Sequence, residues 1–544
     1  MKTEEEWGVD RGVEFETDDE ENQAQRVATR NEDDSDSGFT ISSSNPSDIA
    51  VDASYCPSWP QSYRQSMDMY TSVTPPAVSF LAGTSLAGRS SSFLSSSAYK
   101  RPQTSEYDSS LSKPFISTRS LEKEEVPTST LPTKASAASI HKFSYHELPP
   151  LQQCSYAQAL LNGINVLCGV GLLTTPFAIR EGGWMSLLVL FIFGVIACYT
   201  GILLMRCLES SPGLQTYPDI GQAAFGATGR LGIAIILYLE LYVCCVEYVT
   251  LMSDNLSALF PNAYMNFAGI DLDSHYIFAI TTTIFVLPTV WLRNLSLLSY
   301  LSAGGVVASL LVVLCLLWVG VVDEVGFHPS GPTLDLANLP VALGLYGFCY
   351  SGHSVFPNIY SSMKKPSQFP AVLTVSFLIC WLLYTGVAIC GFSMFGDSTQ
   401  SQFTLNMPKK FVASKIAVWA TVVNPLSKYA LTITPVALSL EELLPSAQLM
   451  RSHCVSVFIR TMLVLSTLVV ALTVPFFGFV MALIGSFLTM LVALIFPCAC
   501  YLSILRGRLT LLQIAVCIFI IIVGVVCSCI GTYSAIRRIA DNLA

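Results

Sequence analysis

Four ionisable side chains lie within segments of the chain that are otherwise almost entirely apolar. Glu240 and Glu247 are seven residues apart in one segment, so they share one face if that segment is a helix. Lys428 and His353 lie in two other segments. A charged group at the centre of a bilayer costs at least about 2.5–3.5 kcal/mol. Each of these residues therefore needs a function or a partner.

The functional hypothesis for these four residues is proton coupling, because a carboxylate, an amine or an imidazole held away from water can load and release a proton. The alternative is a salt bridge between Lys428 and Glu240 or Glu247 that only ties helices together. The sequence leaves both open.

The six histidines are scattered and no phosphate-binding loop occurs, so we expect no metal, no cofactor and no enzyme activity.

Long apolar segments follow one another from residue 154 onward in a chain that is 52% hydrophobic and only 12% charged. A helix needs about 20 apolar residues to cross a bilayer. The sequence therefore predicts an all-α, polytopic membrane protein with about eleven helices. The predicted spans are 155–179, 184–208, 231–259, 276–293, 300–321, 337–360, 369–395, 412–438, 455–474, 477–503 and 510–534.

Three regions follow from this pattern. Residues 1–150 are acidic and serine-rich and are predicted to be a disordered cytosolic tail with sites for kinases or sorting proteins. Residues 151–535 form the transmembrane region, and residues 536–544 form a short C-terminal tail. Lys and Arg are more frequent in the loops that share a side with the N-terminus, which predicts a cytosolic N-terminus. The predicted partners include the lipid bilayer and exclude nucleic acid.

The first and sixth spans are each interrupted by glycine and proline. Gly171 is followed five residues later by Pro176, and Gly352 is followed five residues later by Pro357. Glycine permits an unwound turn and proline removes an amide donor, so each helix should break and expose backbone groups. Matched breaks in two halves of a chain are typical of a transporter binding site. Amides at one helix end and carbonyls at the other suit an α-amino acid zwitterion.

Three stretches, residues 159–184, 350–360 and 424–435, resemble the opening, sixth and eighth helices of the amino acid/auxin permease family. Within that family, the chain most resembles the branch of vacuolar amino acid transporters, which is related to the vesicular inhibitory amino acid transporter. The resemblance implies the leucine-transporter-type fold, with five plus five inverted helices and an eleventh. It also implies proton-coupled exchange of small neutral amino acids at the vacuolar membrane, with another endomembrane or the plasma membrane as alternatives.

The resemblance further implies a substrate site around the two breaks. The substrate carboxylate would meet the backbone of Gly169, Val170 and Gly171. Its ammonium would face carbonyls near Asn165 and near Tyr350, Ser351 and Gly352. Side-chain selectivity would come from Glu247 or its neighbours, from His353 and from Asn424. The alternative functions are an amino-acid-sensing receptor that uses the same site and a membrane acyltransferase that uses His353.

Overall fold

The structure is a computed structural model that describes residues 59–60, 62–71, 154–267, 270–291, 295–323, 325–328, 330–443 and 453–543. The predicted tail, apart from residues 59–60 and 62–71, lies outside the described residues.

The described part is almost entirely helical, with one short antiparallel hairpin in a loop. The α-helices are α1 Ser62–Thr71, α2 Tyr156–Leu167, α3 Gly171–Gly182, α4 Ser186–Glu209, α5 Tyr217–Leu259, α6 Ser274–Trp291, α7 Leu295–Val321, α8 Leu339–Cys349, α9 Phe356–Ser362, α10 Phe369–Phe395, α11 Phe403–Asn406, α12 Val412–Glu442, α13 His453–Thr473, α14 Phe477–Ile484, α15 Phe496–Ile504 and α16 Leu511–Leu543. Strands β1 Met265–Phe267 and β2 Ile270–Leu272 form the hairpin. A π-helical segment, Gly485–Ile495, joins α14 to α15, and 3₁₀ turns occupy Pro366–Gln368 and Gly396–Ser398.

Each predicted span overlaps a helix or a pair of helices, so the all-α membrane architecture is confirmed. Seven of the helices in the described part are long and apolar enough to cross a membrane, or eight if the bent pair α2 and α3 counts as one span. Large apolar side chains remain exposed along these helices, and the interior is filled by aliphatic, aromatic and small side chains. This is the distribution expected where lipid replaces water.

Both predicted breaks are present. Helix α2 ends at Leu167, α3 begins at Gly171, and the two are bent by 48° across the link 168–170. Helix α8 ends at Cys349 and α9 begins at Phe356, so the second link is longer. Pro357 is the second residue of α9, where its missing amide costs no helical hydrogen bond.

The two broken helices run in opposite directions. The start of α2 is joined to the end of α9 by a short parallel bridge, in which the Cys154 amide donates to the Ser362 carbonyl at 2.7 Å and the Lys364 amide donates to the Cys154 carbonyl at 3.0 Å. Helices α3 and α8 pack together at the other end. We call the face that carries the start of α2 and the end of α9 the tail side.

Local capping explains where several helices begin. Ser155 and Gln158 form a reciprocal capping box at the start of α2. Before α8, the Asp335 carboxylate accepts the amides of Ala337 and Asn338 and the side-chain amide of Asn338. These bonds, the one from the Asn338 side chain foremost, lower the pKa of Asp335 and hold the loop in the geometry that starts α8.

Two segments differ from the sequence-based boundaries. Within the predicted tail, the structure places α1, which packs against α9 and α12. At the other end, α16 continues to Leu543 through the residues predicted to form a short C-terminal tail. Helix-forming residues and an Arg537–Asp541 pair at i, i+4 favour that extension.

Helix α8 and the π-helical segment approach each other at their backbones, which is possible only because both contact residues are glycines. A Cβ added at Gly485 would overlap the carbonyl oxygen of Gly344, and one added at Gly344 would overlap the Ala482 carbonyl. This contact presses the second broken helix against the π-helical segment.

We predict that Gly485→Ala lowers stability by about 1–3 kcal/mol, the usual cost of overpacking a core. Gly386→Ala is the matched control, because a Cβ there meets nothing within 4 Å. Thermal unfolding in detergent would measure both. An unchanged midpoint for Gly485→Ala would contradict the close contact.

Candidate functional site

A cavity of about 70 Å³ lies beside the first break, between the link 168–170, α5 and α8. Its lining residues are Val166, Leu167, Gly169, Val170, Gly171, Cys244, Glu247, Tyr248, Phe348 and Ser351. Four of the predicted site residues, Gly169, Val170, Gly171 and Ser351, therefore border one space together with a predicted proton carrier, Glu247. The volume suits a small ligand.

One wall of the cavity presents backbone amides at the start of α3. The Gly169 amide turns back to the Leu167 carbonyl at 2.7 Å, whereas the amides of Val170 and Gly171 have no hydrogen-bond partner within the described part of the chain. The first amides of a helix are unpaired and lie at the positive end of its dipole. This wall can therefore bind a carboxylate.

A second wall carries acidic and hydroxyl groups from two other helices. Glu247 on α5 is 2% exposed, and its Oε2 has no hydrogen-bond partner among the described residues. The Ser351 hydroxyl, in the link after α8, donates to Glu240 Oε1 at 2.5 Å, and Thr489 donates to the same oxygen at 3.4 Å. A buried carboxylate is stable only when it is protonated or faces a cation. This side of the cavity therefore suits a proton or an ammonium group.

The carbonyls that the breaks release are satisfied by two side chains from other helices. The Tyr384 hydroxyl on α10 contacts the Leu167 carbonyl at the end of α2 and the Cys349 carbonyl at the end of α8, the latter at 2.9 Å. Lys428 on α12 donates from Nζ to the Asn165 carbonyl at 3.4 Å. The described part of the chain contains no salt bridge between Lys428 and Glu240 or Glu247.

Three predicted residues of the second break lie away from the cavity. The Tyr350 ring is buried against Phe377 and Tyr384. The Gly352 carbonyl accepts the amides of Val355 and Phe356, so it already serves as the first acceptor of α9. His353 is fully buried, with Nε2 at 3.0 Å from the Ala197 carbonyl and 2.9 Å from Thr200 Oγ1. Since a carbonyl can only accept, Nε2 carries the proton.

Asn424 lies on the opposite side of the first link from the cavity. Its Nδ2 donates to Ser309 Oγ on α7 at 2.8 Å, and it borders a narrow crevice that shares Gly169 and Val170 with the cavity. The Asn424 Oδ1 atom has no partner in the described region. Asn424 therefore contacts the link and not the larger space.

Sequence reasoning missed Tyr384, Thr489 and the cavity-lining residues Cys244 and Phe348. A tyrosine within an apolar span is a weak signal of a buried hydrogen bond, and it was available for Tyr384. Thr489 is placed by the π-helical segment, which leaves no obvious trace in the sequence. Among the described residues, no group of three His, Cys, Asp or Glu side chains could hold a metal ion.

The chain is similar to known proteins over most of its length. Residues 152–537 match the family described as "Transmembrane amino acid transporter protein". The Arabidopsis thaliana amino acid transporter AVT1D is 60% identical over 90% of this chain and 88% of its own length. Amino acid transporter AVT1C of Arabidopsis thaliana is 54% identical and covers 98% of both chains.

A solved structure titled "Crystal structure of MhsT in complex with L-phenylalanine" covers 69% of this chain and 99% of its own, at 13% identity and a TM-score of 0.42. That likeness is too remote to locate a site.

We predict that Gly169→Leu weakens amino acid binding by about tenfold or more, because filling the cavity costs at least about 1.4 kcal/mol of binding free energy. A Cβ at Gly169 meets nothing within 4 Å, so the substitution should fold. Gly232→Leu on α5 is the control, since its Cβ also meets open space but lies outside the cavity. Equal affinities in the two variants, measured by calorimetry in detergent, would contradict this site.

We also predict that Tyr384→Phe lowers stability by about 1–3 kcal/mol, because the buried Cys349 carbonyl loses its hydroxyl donor and the Leu167 carbonyl keeps only the Gly169 amide. Amino acid affinity should fall with it, since both helix ends border the site. Tyr429→Phe is the comparison: Tyr429 is equally buried, and its hydroxyl bonds Thr467 at 2.6 Å and no helix-end carbonyl in the described part of the chain. The thermal unfolding midpoint and the amino acid affinity are measured for each variant. Equal midpoints and equal affinities in the two variants would refute a role for Tyr384 at the breaks.

Proposed function

Because this chain belongs to the family of transmembrane amino acid transporter proteins, we propose that it exchanges small neutral amino acids for protons across the vacuolar membrane or another endomembrane. The observation that carries the proposal is the cavity itself, which is lined by two amides and by one Glu247 oxygen that have no hydrogen-bond partner among the described residues. The choice of membrane comes from the resemblance described above.

The two walls of the cavity complement the two charges of an amino acid. The substrate carboxylate binds the amides of Val170 and Gly171 at the start of α3, where the helix dipole favours an anion. The ammonium lies toward Ser351 and Glu247. A carboxylate near an ammonium and amides near a carboxylate select zwitterions over other solutes of the same size. The space leaves room for a short side chain, which favours small neutral amino acids.

Glu247 and Glu240 are the proton carriers that the geometry favours. Glu247 faces the cavity with a free oxygen, so its proton and a substrate ammonium compete for the same place. Glu240 is linked to the cavity through the Ser351 hydroxyl. His353 is a less direct candidate, because its Nδ1 atom has no partner in the described region but does not border the cavity.

Lys428 places its amino group at the end of α2. Its ammonium contacts the Asn165 carbonyl, at a helix end whose unpaired carbonyls would otherwise attract a metal cation. This contact supports coupling to protons in preference to sodium. It also gives Lys428 a role without the salt bridge considered from the sequence.

Transport by purified protein in liposomes tests the proposal. Labelled neutral amino acids should accumulate against their gradient when the pH gradient is imposed in one direction and not when it is reversed, and sodium should have no effect. Binding without flux under either gradient would refute transport and support the amino-acid-sensing alternative, which uses the same cavity.

We predict that Glu247→Gln abolishes accumulation driven by the pH gradient, because a side-chain amide does not gain or lose a proton across that pH range. The same variant should still exchange labelled for unlabelled amino acid at equal pH. Glu240→Gln shows whether the second carboxyl is also needed. Glu181→Gln is the control, since Glu181 is buried at the far end of α3 beside Arg180. Gradient-driven accumulation that survives Glu247→Gln would remove Glu247 from the coupling path.

A further inference from the structure

Helix α1 comes from the N-terminal tail, yet three of its side chains are fully buried in the membrane region. Tyr63, Ser66 and Met67 are each no more than 1% exposed, and their i, i+3, i+4 spacing places them on one face of the helix. The helix has only ten residues and is polar overall, so it cannot cross a bilayer. It occupies a recess on the tail side, packed against α9 and α12.

Polar contacts hold the start of this segment at the rim of the recess. Ser62 donates to Glu442 Oε2 from its amide at 3.1 Å and from its hydroxyl at 2.8 Å. The Trp59 indole donates to the Ser439 carbonyl at 3.1 Å. Arg230 on α5 donates to the carbonyls of Trp59 and Pro60. The Glu442 carboxylate thus lies at the amide end of α1, where a negative charge is favourable.

Tyr63, the second residue of α1, reaches inward to the link of the second broken helix. The Tyr63 hydroxyl donates to the Ser354 carbonyl at 3.1 Å, and the same link contains Ser351, which lines the cavity. The rings of Trp59 and Tyr63 both pack against Tyr238, with centroids 5.6 and 5.8 Å away. Tyr238 lies two residues before Glu240 on α5. Helix α1 therefore lies between the cavity and the tail side.

We propose that α1 is a seal that closes the tail-side route to the cavity, and that solutes reach the cavity from this side only after α1 leaves its recess. The contacts between α1 and its recess are of a kind that can break and re-form. In the described part of the chain, the segment forms hydrogen bonds with the Glu442 carboxylate, two nitrogens of Arg230 and the carbonyls of Ser439 and Ser354, in addition to the packing of its buried face. The inference concerns access and does not depend on which solute is carried or how transport is driven.

The native Cys244 provides a probe, since it lines the cavity. 2-Sulfonatoethyl methanethiosulfonate, a small anionic thiol reagent, is applied to sealed vesicles from the tail side, and the labelling rate of Cys244 is read by peptide mass spectrometry. Cys244→Ala verifies the assignment of the labelled peptide. Hydrogen exchange of residues 63–70 reports separately whether α1 is docked.

Ser62→Asp places a second carboxylate against Glu442, whereas Ser62→Asn is a neutral match that keeps a donor. We expect Ser62→Asp to raise both hydrogen exchange of α1 and tail-side labelling of Cys244 by about tenfold, which corresponds to about 1.4 kcal/mol of lost docking. Ser62→Asn should behave as the unmodified chain. Glu442→Gln combined with Ser62→Asp should restore slow labelling.

A second variant, with residues 59–71 replaced by a Gly/Ser segment of the same length, removes the seal outright and should label fastest. If Cys244 is labelled from the tail side at the same rate in this variant as in the unmodified chain, α1 is only a brace and the proposal is overturned. Because labelling needs no transport, this result is separate from the liposome flux that tests the proposed function.

Discussion

A broken helix leaves backbone amides and carbonyls without helical hydrogen bonds, and the interior of a membrane protein offers little water to replace them. The arrangement of this site depends on which partners those groups have. The carbonyls at the ends of α2 and α8 share one donor, the Tyr384 hydroxyl, and a further α2 carbonyl contacts Lys428. Within the described part of the chain, the amides of Val170 and Gly171 remain unpaired beside the cavity. A ligand carboxylate would complete the same set of hydrogen bonds, so binding and local folding use the same groups.

Features that depend on a short stretch of chain were predictable from the sequence. The spans follow from runs of apolar residues. The breaks lie next to Gly171 and Gly352, with Pro357 in the first turn of α9, whereas Pro176 lies inside α3. The family resemblance placed Gly169, Val170, Gly171 and Ser351 in the site around these breaks, and all four border the cavity. Glu247 was found because an acidic residue in an apolar span is costly wherever it points.

Features that depend on how helices face one another were not predictable. Tyr384 and Thr489 reach the site from α10 and from the π-helical segment, far away in the chain. His353 and Asn424 lie near the breaks in sequence or in space, yet neither side chain borders the cavity. Helix α1 has no apolar run, and its buried face consists of Tyr63, Ser66 and Met67, a pattern too short to distinguish from a solvated tail.

The short bridge between Cys154 and Met363 has a mechanical consequence. It ties the tail-side halves of both broken helices, α2 and α9, by backbone hydrogen bonds at 2.7 and 3.0 Å. Helices α3 and α8 are held instead by the close approach of Gly171 to Cys349. The two ends of the site are therefore two separate pairs of half-helices, α2 with α9 and α3 with α8. The members of each pair are held to each other, and the pairs are joined by the same two unwound links. A motion that opens one end of the site must therefore move both half-helices of that pair together, or first break the contact between them.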